Sequence, residues 1–411
     1  MSFELDKDKV ENLDACIKCS ACTAVCPVVG VYPLFPGPKS IGPDAERFRL
    51  EGLEMNTTLL NYCSNCKTCE VTCPSGVNIT ELILRAQEKA KTEKKDKKTY
   101  KHRVRGLILG RAAYVGWLGT ILPKLTNLLL RKPLVRALME QILGISHKAP
   151  FPLYLPPLKK TSQIQGTKKQ IVYFPGCFVK YNDALTGQAI VKVLEYNGYE
   201  VIIPSFHCCG VPLQTNGHFQ EAKENSLKNL ALLDPYLQAD VPVITGCTSC
   251  GLALKEYLNP TKPENEQLGL HTFDLFEFLW ELHERQELRE DFWEVQVSLG
   301  YHSACHLKAQ GIGTPAVRLL RLIPGVQVTD LDKGCCGLSG SYGYKEEKYD
   351  IAMQIGNPLF KRVQQGVADG EFQTIITECG SCQVQIRHGS EIRTEHPVWL
   401  LRQAYGLELI H

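Results

Sequence analysis

The chain has 411 residues, a formal net charge of +2, 22% charged and 8% aromatic residues, and 18 cysteines. That length accommodates two or three domains with ample core, and the ordinary charge and aromatic content exclude a disordered chain. Residues 1–12 (MSFELDKDKVEN) read as polar with no apolar leader, and no stretch supplies the ~18 uncharged apolar residues of a spanning helix. A secreted disulfide framework is therefore not expected, and the cysteines are read as serving a reducing compartment.

Along the chain the first feature is a repeated motif. Cys16-x2-Cys19-x2-Cys22-x3-Cys26-Pro27 recurs as Cys63-x2-Cys66-x2-Cys69-x3-Cys73-Pro74. Three thiolates spaced three residues apart on a tight loop can grip three irons of one cubane, and the fourth cysteine faces away. In two-cluster ferredoxins that fourth cysteine serves the other cluster. The spacing predicts one [4Fe-4S] cluster on Cys16, Cys19, Cys22 and Cys73, and a second on Cys63, Cys66, Cys69 and Cys26. Zinc would need only two CxxC pairs and leaves the third cysteine and the proline unexplained. The 36 residues between the motifs are more than a minimal ferredoxin hairpin uses. Within them, GPDAERFRLEG (residues 42–52) places Asp44 to cap a helix running through Glu46, Arg47 and Arg49. Residues 1–88 thus read as an α-helical dicluster ferredoxin domain.

Residues 89–167 read as a basic linker with amphipathic helices. Residues 89–148 hold 15 Lys and Arg against three acids, so the rest of the chain carries −10. KAKTEKKDKKTYKHRVR (residues 89–105) reads as a solvated helix or linker. From Gly106 to Leu143 the sequence is apolar with scattered cations. Ile108, Val115, Leu118, Leu122, Leu125 and Leu129 recur at spacings of seven, three and four, one face of a helix interrupted at Pro123 and Lys124. Two readings follow. The stretch is a pair of amphipathic helices packed on the core or a partner, or a basic segment lying on an anionic membrane. In the second, Tyr114 and Trp117 sit at the headgroups and Arg111, Lys124, Arg131 and Arg136 provide the attraction. That reading makes the protein peripheral, on the cytoplasmic face of the cell membrane. No recognition motif for nucleic acid accompanies the cations.

From about Lys168 the chain repeats itself. Residues 168–292 contain Cys177, Cys208-Cys209-Gly210 and Cys247-x2-Cys250, and residues 293–411 contain Cys305, Cys335-Cys336-Gly337 and Cys379-x2-Cys382. The offsets of 128, 127 and 132 residues mark a duplication at domain scale. In the first copy, strands are expected at Gln170–Phe174 and residues 200–203 and 241–245, with helices at Ala184–Tyr196 and residues 219–233. The second copy has strands at residues 295–301, 326–331 and 374–377, and helices at 315–322 and 347–365. Alternating strands and helices imply a parallel sheet in each copy, and every cysteine element follows a strand, where such sheets gather their ligand sites. The fold class is therefore α plus α/β: a helical ferredoxin domain, a helical linker and two duplicated α/β domains. Five thiolates converge in each copy. Three readings stay open for each: an iron–sulfur cluster on five thiolates, a structural zinc on four of them, or metal-free redox dithiols. Adjacent cysteines serve two irons more readily than one zinc, and five soft ligands favour iron–sulfur. Gly210 and Gly337 are read as clearance for a bulky inorganic core. His207, His302 and His306 adjoin cluster cysteines, as groups orienting the loops by hydrogen bonds or as proton donors to a reduced quinone. The nearest glycine fingerprint, Gly311-Ile-Gly313-Thr-Pro-Ala316, is a weak match beside Cys305, so no flavin or nicotinamide is expected in this chain.

The paired CxxCxxCxxxCP motifs followed by two CCG repeats resemble the CCG-type iron–sulfur subunit family, which includes heterodisulfide reductase and glycolate oxidase iron–sulfur subunits. The segments FPGPKSIGPDAERFRLEG, YCSNCKTCEVTCPSGVNI, GCFVKYN, CCGVPL and CCGLSGSYGYKEEKY are most like the C subunits of anaerobic glycerol-3-phosphate dehydrogenases. The likeness runs from about Asp14 to Ala404. It implies an electron-transfer subunit that accepts electrons from flavin-bearing dehydrogenase subunits and passes them to the quinone pool in anaerobic respiration on glycerol compounds. It implies two cubane [4Fe-4S] clusters and one or two further [4Fe-4S] clusters, noncubane in related reductases, at the CCG motifs; some relatives hold zinc at one motif. The alternatives it leaves are a subunit that reduces a disulfide at the CCG clusters, or the iron–sulfur subunit of a glycolate or lactate oxidase.

Overall fold

A computed structural model describes residues 13–53, 57–92, 100–159, 169–256 and 263–408; the polar residues 1–12 and the charged run 93–99 lie outside them. The N-terminal unit is helical, with α1 (Ala21–Ala24), α2 (Ala45–Leu50), α3 (Thr68–Val71) and α4 (Ile79–Thr92). Helix α4 buries Ile79, Leu82, Ile83, Ala86 and Ala90, the three-and-four spacing of a single face, against Leu13, Val28, Phe35, Ile41 and Leu60. Asp44 does not cap α2. A π-helical turn at Ser40–Asp44 feeds the helix, Asp44 is already helical, and its carboxylate pairs with Arg47 at 3.4 Å.

Four short helices follow: α5 (Tyr100–Gly110), α6 (Ala112–Gly119), α7 (Pro123–Leu130) and α8 (Pro133–Leu143). Pro123 and Pro133 open α7 and α8, where a missing N–H is tolerated. The face from Ile108 to Leu129, expected to break at Pro123 into a pair of helices, is spread over three. None of the described helices is long and apolar enough to cross a membrane. Two of the cations expected to attract a membrane have protein partners. Arg136 is buried and donates to the carbonyls of Ser146 and Ala149 at 3.0 and 2.5 Å, and Arg111 pairs with Glu221 at 3.0 Å. Arg105, read as part of a solvated run, is 5% exposed and forks onto Glu347 with two 2.7 Å bonds. A guanidinium can satisfy its planar donors against distant carboxylates and carbonyls, which a charge count along the chain does not reveal.

The first α/β half runs β1 (Gln170–Phe174), α9 (Gly176–Asn182), α10 (Ala184–Tyr196), β2 (Glu200–Ile202), α11 (Val211–Thr215), α12 (Phe219–Gln238), β3 (Val243–Thr245), α13 (Thr248–Glu256), a further helix at Pro263–His271, β4 (Thr272–Asp274) and α14 (Leu275–Glu284). The second runs β5 (Val297–Tyr301), α15 (Cys305–Lys308), α16 (Pro315–Leu320), β6 (Val326–Asp330), α17 (Tyr349–Ala368), β7 (Thr374–Ile376), α18 (Gly380–Ser390), β8 (Thr394–Glu395) and α19 (Val398–Ala404). Each sheet is parallel, in the orders β2-β1-β3-β4 and β6-β5-β7-β8. In the first, Val172 pairs with Ile202 and Val243; in the second, Leu299 pairs with Val328 and Thr374. The edge strands β4 and β8 escape sequence reading, since three and two residues carry no readable alternation. Asp274 nevertheless ends β4 in a capping box: its carboxylate accepts from Phe276 N–H, and the Glu277 carboxylate accepts from the Asp274 N–H, both at 2.9 Å.

One core unites the halves, with Tyr173, Ile190 and Leu194 from the first and Leu299, Tyr301, Val363 and Phe372 from the second. Helix α10 packs on α19, and Trp399 Nε1 donates to Thr186 Oγ1 at 2.9 Å. The core of the N-terminal unit continues into the second half through Tyr342, Ile351, Ala352 and Ile355.

Candidate metal centre

The two N-terminal cysteine loops share one backbone shape. Lys18 and Ser20 flank Cys19 with φ of 59° and 66°, and Asn65 and Lys67 flank Cys66 with φ of 54° and 60°. A left-handed residue other than glycine costs about 1 kcal/mol, so four of them at matching positions mark loops held for a purpose. The turns aim backbone N–H groups at sulfur: Asn65 N–H lies 3.5 Å from Cys63 Sγ, and Val77 N–H lies 3.4 Å from Cys73 Sγ. The fourth cysteine of each motif crosses to the other. Burial raises the Cys22 thiol, and the sulfurs of Cys73 and Cys16 raise it further. Burial pushes Cys63 up to about 12 with Cys66 and Cys26 beside it, and raises Cys69 beside Cys63, Cys66 and Cys26. Cys19 of the first motif is exposed, whereas Cys66 and Cys69 of the second are buried.

In the two halves the cysteines converge as the loops after β1–β3 and β5–β7 predict, and in the same pattern. The Cys208 thiol is held well below the usual thiol range by hydrogen bonds from Cys177 and Cys209, and Cys247 is lowered by Cys250. Cys335 is lowered likewise by Cys305 and Cys336, and Cys379 falls to about 7 through a hydrogen bond from Cys382. The favoured thiolates are thus the first of the adjacent pair and the first of the CxxC in each copy. Gly210 and Gly337 do not provide clearance on the sulfur side. A Cβ on Gly210 would stand 3.3 Å from Ala222 Cβ, and one on Gly337 would stand 1.9 Å from the Ala352 carbonyl, so both let the cysteine turn abut a helix. Clearance toward sulfur lies at Gly176, where a Cβ would come 2.6 Å from Cys250 Sγ.

The spread of the sulfurs indicates what they can hold. Among the described residues, the set of three ligand atoms within 4.8 Å of one another is His102, Glu346 and Glu347; no trio of cysteine sulfurs is that compact. Lys101 and Arg105 already engage Glu346 and Glu347. Four thiolates around a tetrahedral zinc, at bonds of about 2.3 Å, would lie only about 3.8 Å apart. Five soft thiolates on three loops exceed the four that a tetrahedral ion takes and suit a multi-iron core.

The groups also form a line. Burial raises Cys66, and the Cys335 sulfur raises it further; Cys305 in turn feels Cys66, and Cys247 feels Cys379. The order is first N-terminal motif, second motif, second half, first half. His306 joins three of these stations: Nε2 donates to the Asn65 carbonyl at 2.9 Å, which leaves Nδ1 to accept from Ser249 Oγ at 2.8 Å. Lys67 adds a 2.7 Å ion pair to Glu256. His302 is buried and burial holds it near pKa 4, and His207 is exposed while Asn229 fixes its backbone at 2.9 and 3.2 Å. Of the two roles read for these histidines, loop orientation by ring hydrogen bonds is seen at His306.

A 4Fe-4S dicluster domain matches residues 12–77, and a cysteine-rich CCG domain matches residues 171–255 and again 299–387. Over 403 residues, 96% of this chain, the sequence is 34% identical to the C subunit of the anaerobic glycerol-3-phosphate dehydrogenase of Escherichia coli strain K12, spanning 98% of that protein. The chain belongs to the CCG-type iron–sulfur subunit family. It is also 26% identical to the probable glycolate oxidase iron–sulfur subunit of Bacillus subtilis, covering 84% of this chain and 82% of that one. To the D subunit of the dihydromethanophenazine:CoB--CoM heterodisulfide reductase of Methanosarcina acetivorans it is 24% identical, covering 97% and 95%. As a CCG-type subunit, the chain is an electron-transfer protein carrying several [4Fe-4S] clusters.

This CCG-type subunit also contains a cavity of about 530 Å³ between its cysteines and its helical linker. Cys177, Cys305, Cys335, Cys336, Cys379 and Cys382 line one wall, and Ile108, Val115, Leu118, Leu130, Met139 and Leu143 of α5–α8 line the other. The outer faces of α6–α8 expose Trp117, Ile121, Leu122, Leu125, Leu128, Leu138 and Ile142, with Lys124, Arg131 and Lys132 among them.

Proposed function

We propose that this chain takes electrons from a flavin-bearing dehydrogenase partner of the glycerol-3-phosphate-oxidising class and delivers them to a quinone at the cytoplasmic surface of the membrane. Cys16, Cys19, Cys22 and Cys73 would hold the entry cluster, and Cys63, Cys66, Cys69 and Cys26 the next. Cys305, Cys335, Cys336, Cys379 and Cys382, then Cys177, Cys208, Cys209, Cys247 and Cys250, would hold the CCG clusters. The bound clusters supply one-electron transfer; the protein sets their spacing and supplies N–H donors to sulfur. Exposed Cys19, with Ile17 and Leu34 on the surface nearby, suits the partner's docking face.

The observation that carries the quinone reading is the apolar cavity beneath α6–α8. It is walled by CCG cysteines and lies under a surface whose leucines, tryptophan and cations suit an anionic membrane. An azido-quinone photolabel in anionic vesicles should attach to α6–α8, and unlabelled quinone should suppress it. Labelling elsewhere, or none, would overturn the acceptor. The adjacency of Cys247 and Cys379 favours a second reading, in which two CCG clusters share one disulfide substrate. Reoxidation of the reduced protein by small disulfides but not by quinones would select it.

A further inference from the structure

A second cavity, of about 750 Å³, lies behind the first. Its lining sets the ionisable His102, Lys91, His218 and Glu347 among apolar residues such as Ile83 and Leu84. The two cavities meet at a neck formed by residues common to both: Ser64, Asn65, Thr215, Ser339 and Ser341. All five carry a hydroxyl or an amide. Buried polar atoms without a hydrogen-bond partner gather at this neck and just behind it. They are Asn65 Oδ1, Ser339 Oγ, Asn216 Oδ1 and Tyr342 OH. Asn65 is 7% exposed and Tyr342 5%. Buried groups of this kind normally find water, and a polar passage between two roomy cavities provides it. Asn216 Nδ2 donates to Ser341 Oγ at 2.7 Å, so one polar contact already joins the second cavity to the neck.

Reducing a quinone to a quinol consumes two electrons and two protons, one proton for each carbonyl oxygen. The cysteine-lined wall addresses the electrons. The apolar wall of Ile108, Val115, Leu118, Leu130, Met139 and Leu143 cannot donate protons; of the other lining groups, His306 has both ring nitrogens engaged by Asn65 and Ser249, and burial raises the Tyr154 and Tyr344 phenols. We infer that protons reach the acceptor from the second cavity through the neck, relayed by water held on Asn65, Thr215, Ser339 and Ser341. The inference rests on the quinone reading. Electrons and protons thus arrive from different sides: electrons along the cysteine line, protons through the neck, and the quinone from the membrane face.

The test uses the full, cluster-loaded chain, reduced under anaerobic conditions and mixed with anionic vesicles carrying decylubiquinone. Cluster absorbance reports reoxidation, and an indicator dye reports two protons taken up per quinone. Thr215→Val combined with Ser341→Ala should slow quinone-driven reoxidation at least about tenfold, at the modest end of proton-transfer effects, and steepen its fall with rising pH. Ferricyanide accepts one electron and no proton, so its rate should stay unchanged, as should the EPR spectrum of the reduced clusters. Thr215→Ser in place of Thr215→Val, with Ser341→Ala kept, returns one hydroxyl to the neck and should recover much of the rate. Equal quinone rates in wild type and double variant would overturn the inference alone. A wild-type protein that reduces ferricyanide but no quinone would overturn the acceptor reading and the inference with it.

Discussion

The two cysteine-rich halves carry the same five sulfurs on equivalent loops, yet they occupy different stations. The second half packs against the N-terminal unit through Tyr342, Ile351 and Ile355 and brings Cys335 beside Cys66. The first half touches the cysteine line at its far end, through Cys247 beside Cys379, and covers its other face with α6. Duplication copied the ligand chemistry; asymmetric packing gave it a direction. In the proposed path the second half is the relay and the first the terminus, because Cys335 and Cys305 lie beside Cys66, whereas the first half meets the N-terminal unit through the Lys67–Glu256 ion pair.

The sharpest way to break that comparison is to remove one ligand from each half. Cys336→Ala should cut electron delivery to the first half to background while the N-terminal clusters still reduce. Cys209→Ala should leave the N-terminal and second-half signals intact and remove only what lies beyond them. Freeze-quench EPR after reduction through the flavin-bearing dehydrogenase partner, with dithionite reduction as the control that reaches every cluster directly, checks both. Equal losses in the two variants would remove the directionality.

The next largest difference concerns the CCG glycines. Gly337→Ala places a Cβ 1.9 Å from the Ala352 carbonyl at φ +89°, and Gly210→Ala meets a side chain at 3.3 Å at φ +95°. The second-half variant should lose at least about 3 kcal/mol and the first-half variant about 1 kcal/mol, read as denaturation midpoints. A smaller effect tests how the linker is held on the second half. Burial alone would raise Glu347, but the fork from Arg105 carries it down to about 2. Arg105→Met should cost about 2 kcal/mol at neutral pH. Because the folded value lies below the ordinary 4.5, the pair stabilises fully above 4.5 and is lost as pH falls toward 2. The gap in Tm between wild type and Glu347→Gln should close over that window. The smallest effect on the fold is expected outside. Leu125→Glu with Leu128→Glu should change stability by less than about 0.5 kcal/mol, since both side chains are about half exposed. The same pair should abolish co-sedimentation with anionic vesicles, and unchanged sedimentation would argue against a membrane face.

Much of the centre is legible in the residue pattern alone. The crossing of Cys26 and Cys73 follows from motif spacing, and the strands before Cys177, Cys208 and Cys247 stand out as short β-branched runs. Contacts between segments far apart leave no such trace. His306 reaching Asn65 and Ser249, and Arg105 reaching Glu347, join residues separated by 241, 57 and 242 positions. No local pattern encodes such pairs. The linker misleads for a related reason: its period of seven, three and four is real, but Pro123 and Pro133 restart the helix and turn each piece differently.

Residue spacing by itself determined that the chain gathers eighteen cysteines into four groups, because ligand geometry on loops is a local property of the backbone. The order of those groups, the apolar chamber beside them and the polar neck behind it were settled by packing. They depend on which core faces meet, and burial of apolar area is blind to where along the chain that area comes from.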